Sequence, residues 1–449
     1  MSKITLTDKQ QEVFDDFVDR VHTFPGRSES VLVGYAGTGK TTLVAEIVKN
    51  LYSGYNIAVT SPTHKANSVI RNMLINNVGL TKEDALVSTI HSFLGLKLVY
   101  EKNKQVLKHD PQSKNSNAFV DILIVDECSM ISEEMYKHIQ DQMYRVRRAI
   151  LFVGDSCQLP PVESEGTLGE TKLSPTFNVQ TVYELTEVLR QALDNPIINI
   201  ATQIRQCIGT NKDPMSILNN INDGDSTIMP VDSEETFLNV YKEFILENKG
   251  SSKKIYDFVQ ENKIIAYTNY RVNMANIYIR NELFSEHQDV EFVKGEPIIF
   301  ETVTENCQYT VQQIIQCPEI RPESFLGIDC WQFKLPNGNY ILGVGPYSRL
   351  DLDKKLDEMV KKIEKREENP LTKKPYMWQD YYIIKNKINV INYPYATTTH
   401  KSQGSTFNNI WFDTDYIERI RNNDTKCRIL YTALTRPRYT VMLRKNGKF

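Results

Sequence analysis

The sequence predicts an α/β fold built around parallel sheets in two halves of the chain. Four short, nearly continuous apolar runs (31–33, 57–60, 119–125 and 149–153) alternate with helical stretches in the first half. Such runs are typical of parallel strands that are covered by helices on both faces. Polar residues follow the runs directly, at the sheet edge where open α/β sheets bind ligands. A similar alternation from residue 263 onward indicates a second α/β half.

Length and composition indicate a soluble globular protein with several domains. The chain has 449 residues, of which 41% are hydrophobic and 24% charged. The first eight residues show no apolar signal segment, and no apolar run approaches the ~20 residues of a membrane span. We therefore expect no membrane partner. Seven cysteines without a C-x-x-C pair indicate reduced thiols and a cytoplasmic location. Because the net charge is −3, any nucleic-acid contact requires a local basic surface.

The segment between the first apolar run and the helical stretch after it carries the pattern Gly-x4-Gly-Lys-Thr over residues 34–41. This pattern indicates a phosphate loop, whose glycines let backbone N–H groups converge on phosphate oxygens. The lysine holds the β- and γ-phosphates, and the threonine hydroxyl ligates Mg2+. The pattern also arises by chance in roughly one or two chains of this length per hundred, but the flanking strand and helix favour a nucleotide site. The candidate nucleotide-binding residues are Gly37, Thr38, Gly39, Lys40, Thr41 and Thr42.

Acidic and amide side chains follow the third and fourth apolar runs. Asp126 and Glu127 come directly after the run 119–125, where Asp126 is suited to Mg2+ and Glu127 to an attacking water. An Asp-Glu pair is otherwise often plain surface charge. Gln158 follows the run 149–153 and suits either a γ-phosphate sensor or a loop-stabilising amide. Arg190 and Arg436 are candidate γ-phosphate ligands, although most arginines are simply solvated.

Three other segments have patterns that predict local structure. Residues 7–21 form an amphipathic pattern that opens with Thr7-x-x-Gln10, a capping box that by itself explains Gln10. Residues 96–109 read as a β-hairpin with its tip at 102–104. Residues 291–390 are β-rich and contain a charged helix near 351–368, which by itself is typical of a solvated face.

Eight segments together carry a family resemblance. They are Gly-Tyr-Ala-Gly-Thr-Gly-Lys-Thr (34–41), Ser-Pro-Thr-His-Lys-Ala (61–66), Ser-Thr-Ile-His-Ser (88–92), Asp-Glu-Cys-Ser-Met (126–130), Gly-Asp-x-x-Gln-Leu-Pro-Pro-Val (154–162), Leu-Thr-Glu-Val-Leu-Arg-Gln (185–191), Thr-x-His-Lys-Ser-Gln-Gly (398–404) and Tyr-Thr-Ala-Leu-Thr-Arg (431–436). Their types and order resemble the superfamily-1 DNA helicases of the RecD-like branch. The resemblance spans nearly the whole chain and is weakest over 96–118 and 291–390.

The resemblance implies two RecA-like parallel-sheet domains, each with an insertion. Domain 1 would comprise 1–94 and 119–190, with a β-hairpin insertion at 95–118. Domain 2 would comprise 191–290 and 391–449. Its insertion, 291–390, would be β-rich and SH3-like with a helical arm.

The implied function is that of an ATP-dependent DNA helicase that moves 5′→3′ on single-stranded DNA. It would unwind duplexes in replication, recombination or repair, as a monomer, using ATP and Mg2+. Single-stranded DNA and duplex junctions would be its partners, together with a single-strand-binding protein or other replication proteins. A phage-encoded member would act in the host cytoplasm. Two alternatives stay open, an RNA-directed helicase of the same superfamily and a phosphate-loop remodelling ATPase that needs no nucleic acid.

The resemblance also implies residue roles. Gln10 would read adenine, Gln158 would sense the γ-phosphate and link it to the DNA site, and Arg190 and Arg436 would clamp the γ-phosphate across the two domains. The implied DNA contacts are Thr63, His64, His91, Thr399, His400 and Lys401. For the histidines, the alternative is an ordinary hydrogen-bonded residue at a strand end. The hairpin would split the duplex through Tyr100 or Leu107.

Overall fold

The computed structural model describes residues 5–75, 79, 86–101, 104–110, 119–161, 172–188, 195–219, 227–247, 252–304, 307–368 and 378–444, without the side chains of 98–101, 104–106, 219, 252–254 and 366–368. The strands are β1 (Ser28–Gly34), β2 (Ile57–Ser61), β3 (Leu86–Thr89), β4 (Leu96–Glu101), β5 (Lys104–His109), β6 (Val120–Val125), β7 (Val146–Gly154), β8 (Thr181–Leu185), β9 (Ile228–Val231), β10 (Asn262–Ala266), β11 (Pro297–Thr302), β12 (Ile314–Gln316), β13 (Ile320–Phe325), β14 (Ile328–Lys334), β15 (Tyr340–Val344), β16 (Ile388–Asn392), β17 (Ala396–Thr398), β18 (Phe407–Asp413) and β19 (Pro437–Arg444).

The α-helices are α1 (Asp8–Thr23), α2 (Lys40–Leu51), α3 (His64–Met73), α4 (Ile90–Phe93), α5 (Glu133–Asp141), α6 (Pro196–Arg205), α7 (Met215–Asn219), α8 (Glu234–Glu247), α9 (Ser252–Glu261), α10 (Asn269–Leu283), α11 (Arg349–Glu368), α12 (Trp378–Lys385) and α13 (Asn423–Leu434). No helix in the described ranges is both long and apolar enough to cross a membrane.

The chain divides into two compact units. Unit 1 comprises 1–228, 402–406 and 416–437, and unit 2 comprises 229–401, 407–415 and 438–449. This division differs from the predicted domain boundaries in three places, since residues 191–228, 402–406 and 416–437 belong to unit 1. Helix α13 hydrogen-bonds to Leu159 and Ala36 of unit 1, and α6 packs against α13. Compactness depends on packing between distant segments, which chain order does not reveal.

Unit 1 is built on a parallel six-stranded sheet, as predicted. The strand order is β3-β2-β6-β7-β1-β8, and all the neighbouring pairs are parallel. Successive residues of a strand point to opposite faces. Leu32 therefore joins the apolar cluster with α1 and α2, whereas Val31 joins the cluster with α5 on the other face. Burial of both faces explains why these strands read as unbroken apolar runs.

The predicted hairpin is present. Strands β4 and β5 pair antiparallel from Leu96 opposite His109 to Glu101 opposite Lys104. Lys102 and Asn103, at the predicted tip, and the side chain of Tyr100 lie outside what the structure describes. Leu107 is half-buried and packs against the core cluster around α5. The structure thus places Leu107 against unit 1 rather than at the tip of the hairpin.

Unit 2 contains two sheets. The first has the order β17-β10-β18-β19-β9, in which β10 pairs in parallel with β17 and β18. The second has the order β12-β11-β16-β15-β14-β13 and is antiparallel except for the β15–β16 pair. The predicted β-rich segment and its helical arm, α11, are therefore present, while their SH3-like character stays a prediction.

The second sheet extends past the predicted insertion boundary at residue 390. Strand β16 runs to Asn392 and pairs with β11 and β15, so its last two residues belong to the β-rich sheet and not to the α/β sheet. Its apolar pattern matches either kind of sheet, so the pattern alone does not show that the β-rich sheet continues to Asn392. Strand β13 was not predicted, because most of its side chains are exposed and charged or polar.

Candidate functional site

The phosphate loop lies between β1 and α2 at the carboxyl edge of the unit 1 sheet. Gly37 and Gly39 have φ of 82° and 75°, a left-handed conformation that glycine adopts without strain. Gly39 is also the N-cap of α2, so Lys40, Thr41 and Thr42 form the first helical turn. The Lys40 ammonium donates to the carbonyl oxygens of Gly34 and Tyr35 at 2.7 and 3.1 Å. A helix N-terminus with exposed N–H groups and an adjacent lysine favours a phosphate group.

Gln10 supports both the start of α1 and the phosphate loop. The capping box forms: Gln10 N donates to Thr7 Oγ1 at 3.3 Å, and Thr7 N donates to Gln10 Oε1 at 3.0 Å. The side-chain nitrogen then donates to the carbonyl of Thr38 at 2.9 Å. Gln10 is 3% exposed. Its contact with Thr38 ties it to the loop, and adenine reading stays a prediction.

The acidic pair follows β6 beside this loop. Glu127 has φ 54° and ψ 40°, a left-handed conformation that costs a non-glycine residue about 1–3 kcal/mol. Asp126 Oδ1 accepts the Glu127 N–H at 2.9 Å. Burial, and after it the charge of Glu127, raises the pKa of Asp126 above its usual value, while Lys40 acts in the opposite direction. Strain and crowded carboxylates at one strand end are typical of a functional site.

The loop after β7 is held by one face of α13. Tyr431 Oη donates to Asp155 Oδ2 at 2.6 Å and accepts the Ala36 N–H of the phosphate loop at 3.1 Å. Leu159 N donates to the Thr432 hydroxyl at 3.0 Å. The Arg428 guanidinium donates to the carbonyls of Ser156 and Gln158. The loop is therefore fixed to a helix that also contacts the phosphate loop.

Gln158 keeps an unused acceptor within this loop. Its side chain is 6% exposed, and its Oε1 has no hydrogen-bond partner among the described residues. Leaving a buried amide oxygen without a donor costs roughly 1–3 kcal/mol. Such an orphan acceptor is consistent with a bound water or ligand as its partner, in line with the predicted sensor role.

Arg436 lies inside unit 1 near the acidic pair. It is 5% exposed and donates to the carbonyls of Ser405 and Thr432 at 3.2 and 2.9 Å. Burial lowers its pKa, while the charge of Glu127 acts in the opposite direction. Within the described ranges Arg436 forms no ion pair. Arg190, its predicted companion, lies outside the described residues.

Gly404 lies close to Ala66 and Glu127, at a position where a side chain would be crowded. Gly404 has φ 67°, and a Cβ there would lie 3.0 Å from Ala66 Cβ and 3.6 Å from Glu127 Cγ. Burial, and after it the charge of Arg436, lowers the pKa of Lys65 to about 8. The predicted segments at 61–66, 126–130 and 398–404 therefore meet within unit 1 through residues Lys65, Ala66, Glu127 and Gly404.

Sequence reasoning missed the residues of α13 and its neighbour that hold the β7 loop. These are Arg428, Tyr431, Thr432 and Gln403, whose side-chain amide donates to the Leu159 carbonyl at 2.9 Å. One signal was available: Arg428, Tyr431 and Thr432 recur at helical spacing within an otherwise apolar stretch. Polar side chains on the buried face of a helix indicate specific partners.

The predicted DNA contacts in unit 1 lie at the ends of β2 and β3. Thr63 caps α3, its Oγ1 accepting the Ala66 N–H at 3.2 Å, and His64 follows as an exposed residue. His91 is half-buried in α4. Burial, and after it the positive charges of His64 and His138, lowers the pKa of His91. His64 and His91 are thus neighbours, as a shared surface requires.

The predicted contacts in unit 2 follow β17. Thr399 is fully buried, and its hydroxyl donates to the Ala266 carbonyl at 3.3 Å, which argues against a direct DNA contact. The His400 ring lies 6.1 Å from the Tyr267 ring. Lys401 is 40% exposed and pairs with Glu301 at 3.0 Å. His400 and Lys401 are therefore the members of this group that reach the surface.

Metal binding at the site depends on few protein ligands. The described residues contain no group of three or more His, Cys, Asp or Glu side chains placed to hold a metal ion. Thr41 and Asp126 are the predicted Mg2+ ligands. They follow β1 and β6, the two strands that flank β7 in the sheet. Mg2+ commonly binds through one or two side chains, water and substrate phosphates, so the residues present fit such an ion.

Comparison with known proteins places these features in a family. The family described as "AAA domain" matches residues 5–216, and the "UvrD-like helicase C-terminal domain" matches residues 393–443. The ATP-dependent DNA helicase dda of Enterobacteria phage T4 is 28% identical over 97% of this chain and 98% of its own length. The RecD subunit of the RecBCD enzyme of Buchnera aphidicola is 25% identical over 91% of this chain and 68% of its own. The chain is therefore similar to superfamily-1 helicases of the Pif1/RecD-like type over nine-tenths or more of its length.

One further relative and one solved structure are similar to nearly the whole chain. An uncharacterised protein of Acanthamoeba polyphaga mimivirus is 25% identical over 90% of this chain and 93% of its own length. A crystal structure of a Bacteroides Pif1 helicase in complex with ADP-AlF3 and single-stranded DNA covers 98% of this chain and 92% of its own, at 17% identity and a TM-score of 0.50. The chain shares that fold.

Proposed function

We propose that this protein is an ATP-dependent DNA helicase that moves 5′→3′ on single-stranded DNA and unwinds duplexes. One observation carries the proposal: the phosphate loop, the Asp126–Glu127 pair, the Gln158 loop and Arg436 converge within unit 1. The phage T4 relative is described as an ATP-dependent DNA helicase, and the Bacteroides Pif1 helicase was crystallised with single-stranded DNA. The direction of movement rests on the family resemblance.

ATP fits the residues at the head of α2. The glycines at 37 and 39 leave the loop backbone open, and Lys40 can exchange its carbonyl partners for β- and γ-phosphate oxygens. Mg2+, when bound between Thr41 and Asp126, would neutralise charge on the phosphates. A nearby cation also favours the ionised form of Asp126, against the effect of its burial.

The remaining residues suit hydrolysis. Glu127 is placed to orient or deprotonate the attacking water, and the unpaired Oε1 of Gln158 can accept a hydrogen bond from that water. Arg436 supplies a buried cation that has no carboxylate partner among the described residues, so its charge is available to the γ-phosphate. The Tyr431 hydroxyl links the phosphate loop to the β7 loop and can relay changes between them.

The first test is ATP hydrolysis with and without nucleic acid. We expect single-stranded DNA to stimulate hydrolysis in the wild-type protein. Lys40→Ala and Glu127→Gln should abolish stimulated hydrolysis while circular dichroism stays unchanged. Lys49→Ala provides a matched control, because Lys49 lies exposed on the same helix. Near-normal turnover in either site variant contradicts the assignment. Stimulation by single-stranded RNA alone would favour the RNA-directed alternative, and no stimulation by either would favour a remodelling ATPase.

Direction is tested with duplexes that carry a single-stranded tail on one side only. A 5′→3′ enzyme unwinds the 5′-tailed duplex in the presence of ATP and leaves the 3′-tailed duplex intact. The opposite preference would overturn the proposed direction while leaving the helicase assignment in place. The same substrates with a single-strand-binding protein added test the proposed cooperation with replication proteins.

A cytoplasmic site of action is part of the proposal. All seven cysteines are free, as expected of a protein in a reducing compartment. For a phage-encoded protein this compartment would be the host cytoplasm, where ATP and replicating DNA are both present.

A further inference from the structure

A groove in unit 2 is lined by residues that have not been considered so far for ATP or DNA. It has a volume of about 720 Å3 and is formed by β13, β14 and the segment that leads into α11. Its lining combines rings and carboxylates: Pro322, Trp331 and Tyr347 beside Glu323, Asp329 and Asp351. In the pairing of β13 with β14, Pro322–Trp331 and Ser324–Asp329 lie on one face of the sheet, and Glu323–Cys330 lies between them on the other face. The groove therefore takes its lining from both faces at this end of the sheet.

The aromatic walls of the groove are fixed by one buried carboxylate. Glu291 is 6% exposed and accepts the Trp331 indole N–H at 2.8 Å. It also accepts the backbone N–H groups of Tyr347 and Ser348 at 2.6 and 3.0 Å and the Ser348 hydroxyl at 2.7 Å. Glu291 therefore fixes the Trp331 indole relative to the backbone at Tyr347. A ring that is already held in place loses little conformational entropy when a ligand binds.

The carboxylates at the rim give the groove a negative potential. Glu291 is fully occupied by its donors, whereas Glu323, Asp329 and Asp351 are exposed. Burial, and after it the charges of Glu323 and Asp329, raises the pKa of the Cys330 thiol on the groove floor to about 11. Asp351 shares a long ion pair of 3.8 Å with Lys354. Such a surface disfavours a nucleic-acid phosphate and favours a cationic side chain.

Strand β13 narrows the mode of recognition. It lies at one edge of its sheet, next to β14 alone. Pro322, in the middle of this edge strand, has no N–H for a further strand, which disfavours recognition by strand addition. A ligand of this groove would therefore be recognised through its side chains. Rings that pack on proline or aliphatic groups, next to acidic side chains that pair with arginine, suit an extended proline-containing basic peptide.

We propose that this groove docks a basic, proline-containing segment of a partner protein in an extended conformation. Proline rings of the segment pack against Trp331 and Tyr347, and its arginine pairs with Asp329 and Glu323. Every lining residue belongs to unit 2, and none of them is among the candidate ATP or DNA contacts, so the docking site shares no residue with the motor site.

The test uses the full-length protein and a fluorescein-labelled peptide that alternates proline pairs with single arginines. Fluorescence anisotropy reports binding. We expect the Glu323→Gln/Asp329→Asn double variant to weaken binding by about tenfold, since each isosteric change removes one charge. Tyr347→Ala should weaken it by about fivefold through loss of ring packing. DNA-stimulated ATP hydrolysis should be the same in the double variant and in Tyr347→Ala as in the wild type.

Controls separate the groove from general attraction between charges. Asp353→Asn removes an exposed acid on α11 that does not line the groove, and it should bind as the wild type does. A peptide with glutamate in place of arginine should not bind. Equal losses in the Asp353 control and the double variant would overturn the proposal, as would peptide binding that single-stranded DNA displaces. Failure of the wild type to bind the arginine peptide at saturating concentration would do the same.

Discussion

At the residue scale, Arg436 combines deep burial with the absence of a carboxylate partner in the described ranges. Its guanidinium donates to two backbone carbonyls, so its charge is not neutralised. We expect Arg436→Ala to bind a fluorescent ATP analogue within a few-fold of the wild type. Hydrolysis should fall by about 10³-fold or more, as for other arginines that act on a γ-phosphate. Parallel binding titrations and steady-state ATPase assays measure the two effects.

The control for this prediction addresses folding. Removing Arg436 takes its donor from the carbonyl of Ser405, at roughly 1–3 kcal/mol. The Thr432 carbonyl keeps the Thr435 hydroxyl as a donor at 2.8 Å. Arg436→Lys keeps a cation in place and should fold more stably while still failing to restore full turnover. Arg438→Ala, at an exposed neighbouring position, should behave as the wild type does. Loss of ATP binding together with hydrolysis in both Arg436 variants would contradict the proposed role.

Tyr431 carries a second prediction at this scale. Its hydroxyl joins Ala36 of the phosphate loop to Asp155, and the side chain is 2% exposed. We expect Tyr431→Phe to raise the KM for ATP several-fold, because the Ala36 N–H of the phosphate loop loses its acceptor. A double-mutant cycle with Asp155→Asn should give a coupling energy of about 0.5–3 kcal/mol. Additive effects of the two substitutions would show that the hydroxyl does not connect the loops.

At the scale of elements, the sequence was informative wherever one local pattern determined the structure. The capping box at Thr7 and Gln10 and the apolar runs of β1, β2, β6 and β7 correspond to the observed helix start and parallel strands. The clustering of polar residues also followed, because the carboxyl ends of parallel strands share one edge.

Features that depend on distant packing could not be predicted in the same way. Nothing local in α13 says that its polar face holds the loop after β7, some 270 residues earlier (Thr432 to Leu159 is 273 positions). Gln10 shows a related limit. Its capping box was visible in the sequence, but its contact with Thr38 depends on how α1 packs beside the phosphate loop.

A third prediction concerns the junction of β11, α11 and the turn after β17. Glu301 on β11 pairs with Lys401 at 3.0 Å and with Arg349 at 2.7 Å. Burial opposes ionisation of Glu301, yet the charges of Lys401 and Arg349 hold its pKa below the usual value. A DNA phosphate must compete with this carboxylate for Lys401. We therefore expect Glu301→Gln to tighten single-stranded DNA binding by about threefold, the range of a partly exposed ion pair.

Anisotropy titrations with a labelled oligonucleotide measure this effect. Lys401→Gln should weaken binding, and adding Glu301→Gln to it should bring no further gain. Asp353→Asn is a suitable control, because it neutralises an exposed carboxylate that pairs with Arg349 and not with Lys401. Weaker DNA binding by Glu301→Gln would mean that the carboxylate positions Lys401 for DNA instead of competing with it.

At the scale of the whole molecule, the order of segments along the chain differs from their grouping in space. Unit 1 includes 402–406 and 416–437, although unit 2 supplies most of the intervening and preceding sequence from 229 onward. Both segments carry residues that hold the nucleotide side of unit 1, namely Gln403 and Tyr431. Correct folding of the ATP site therefore requires the C-terminal part of the chain, which ties nucleotide binding to the integrity of the whole protein.

The free energy of unfolding, a property of the whole chain, should depend on pH through buried histidines. Burial, and after it the charges of His64 and His138, lowers the pKa of His91 below 6.5. As the pH falls through about 6.5, the unfolded chain takes up a proton at this position while the folded chain does not. The contribution of His91 to stability is therefore present above this pH and is lost below it.

Glu296 acts in the opposite direction, since burial raises its pKa to about 7 and its folded form gains a proton first. The wild-type profile mixes both groups, so the prediction concerns the difference between variants. From about pH 7.5 to about pH 5.5, His91→Gln should gain stability relative to the wild type, by about 1.4 kcal/mol for each unit of pKa shift. Urea unfolding at several pH values measures this difference, and the exposed His109→Gln serves as the control. A constant difference between His91→Gln and wild type across this range would show that His91 titrates alike in the folded and unfolded chains.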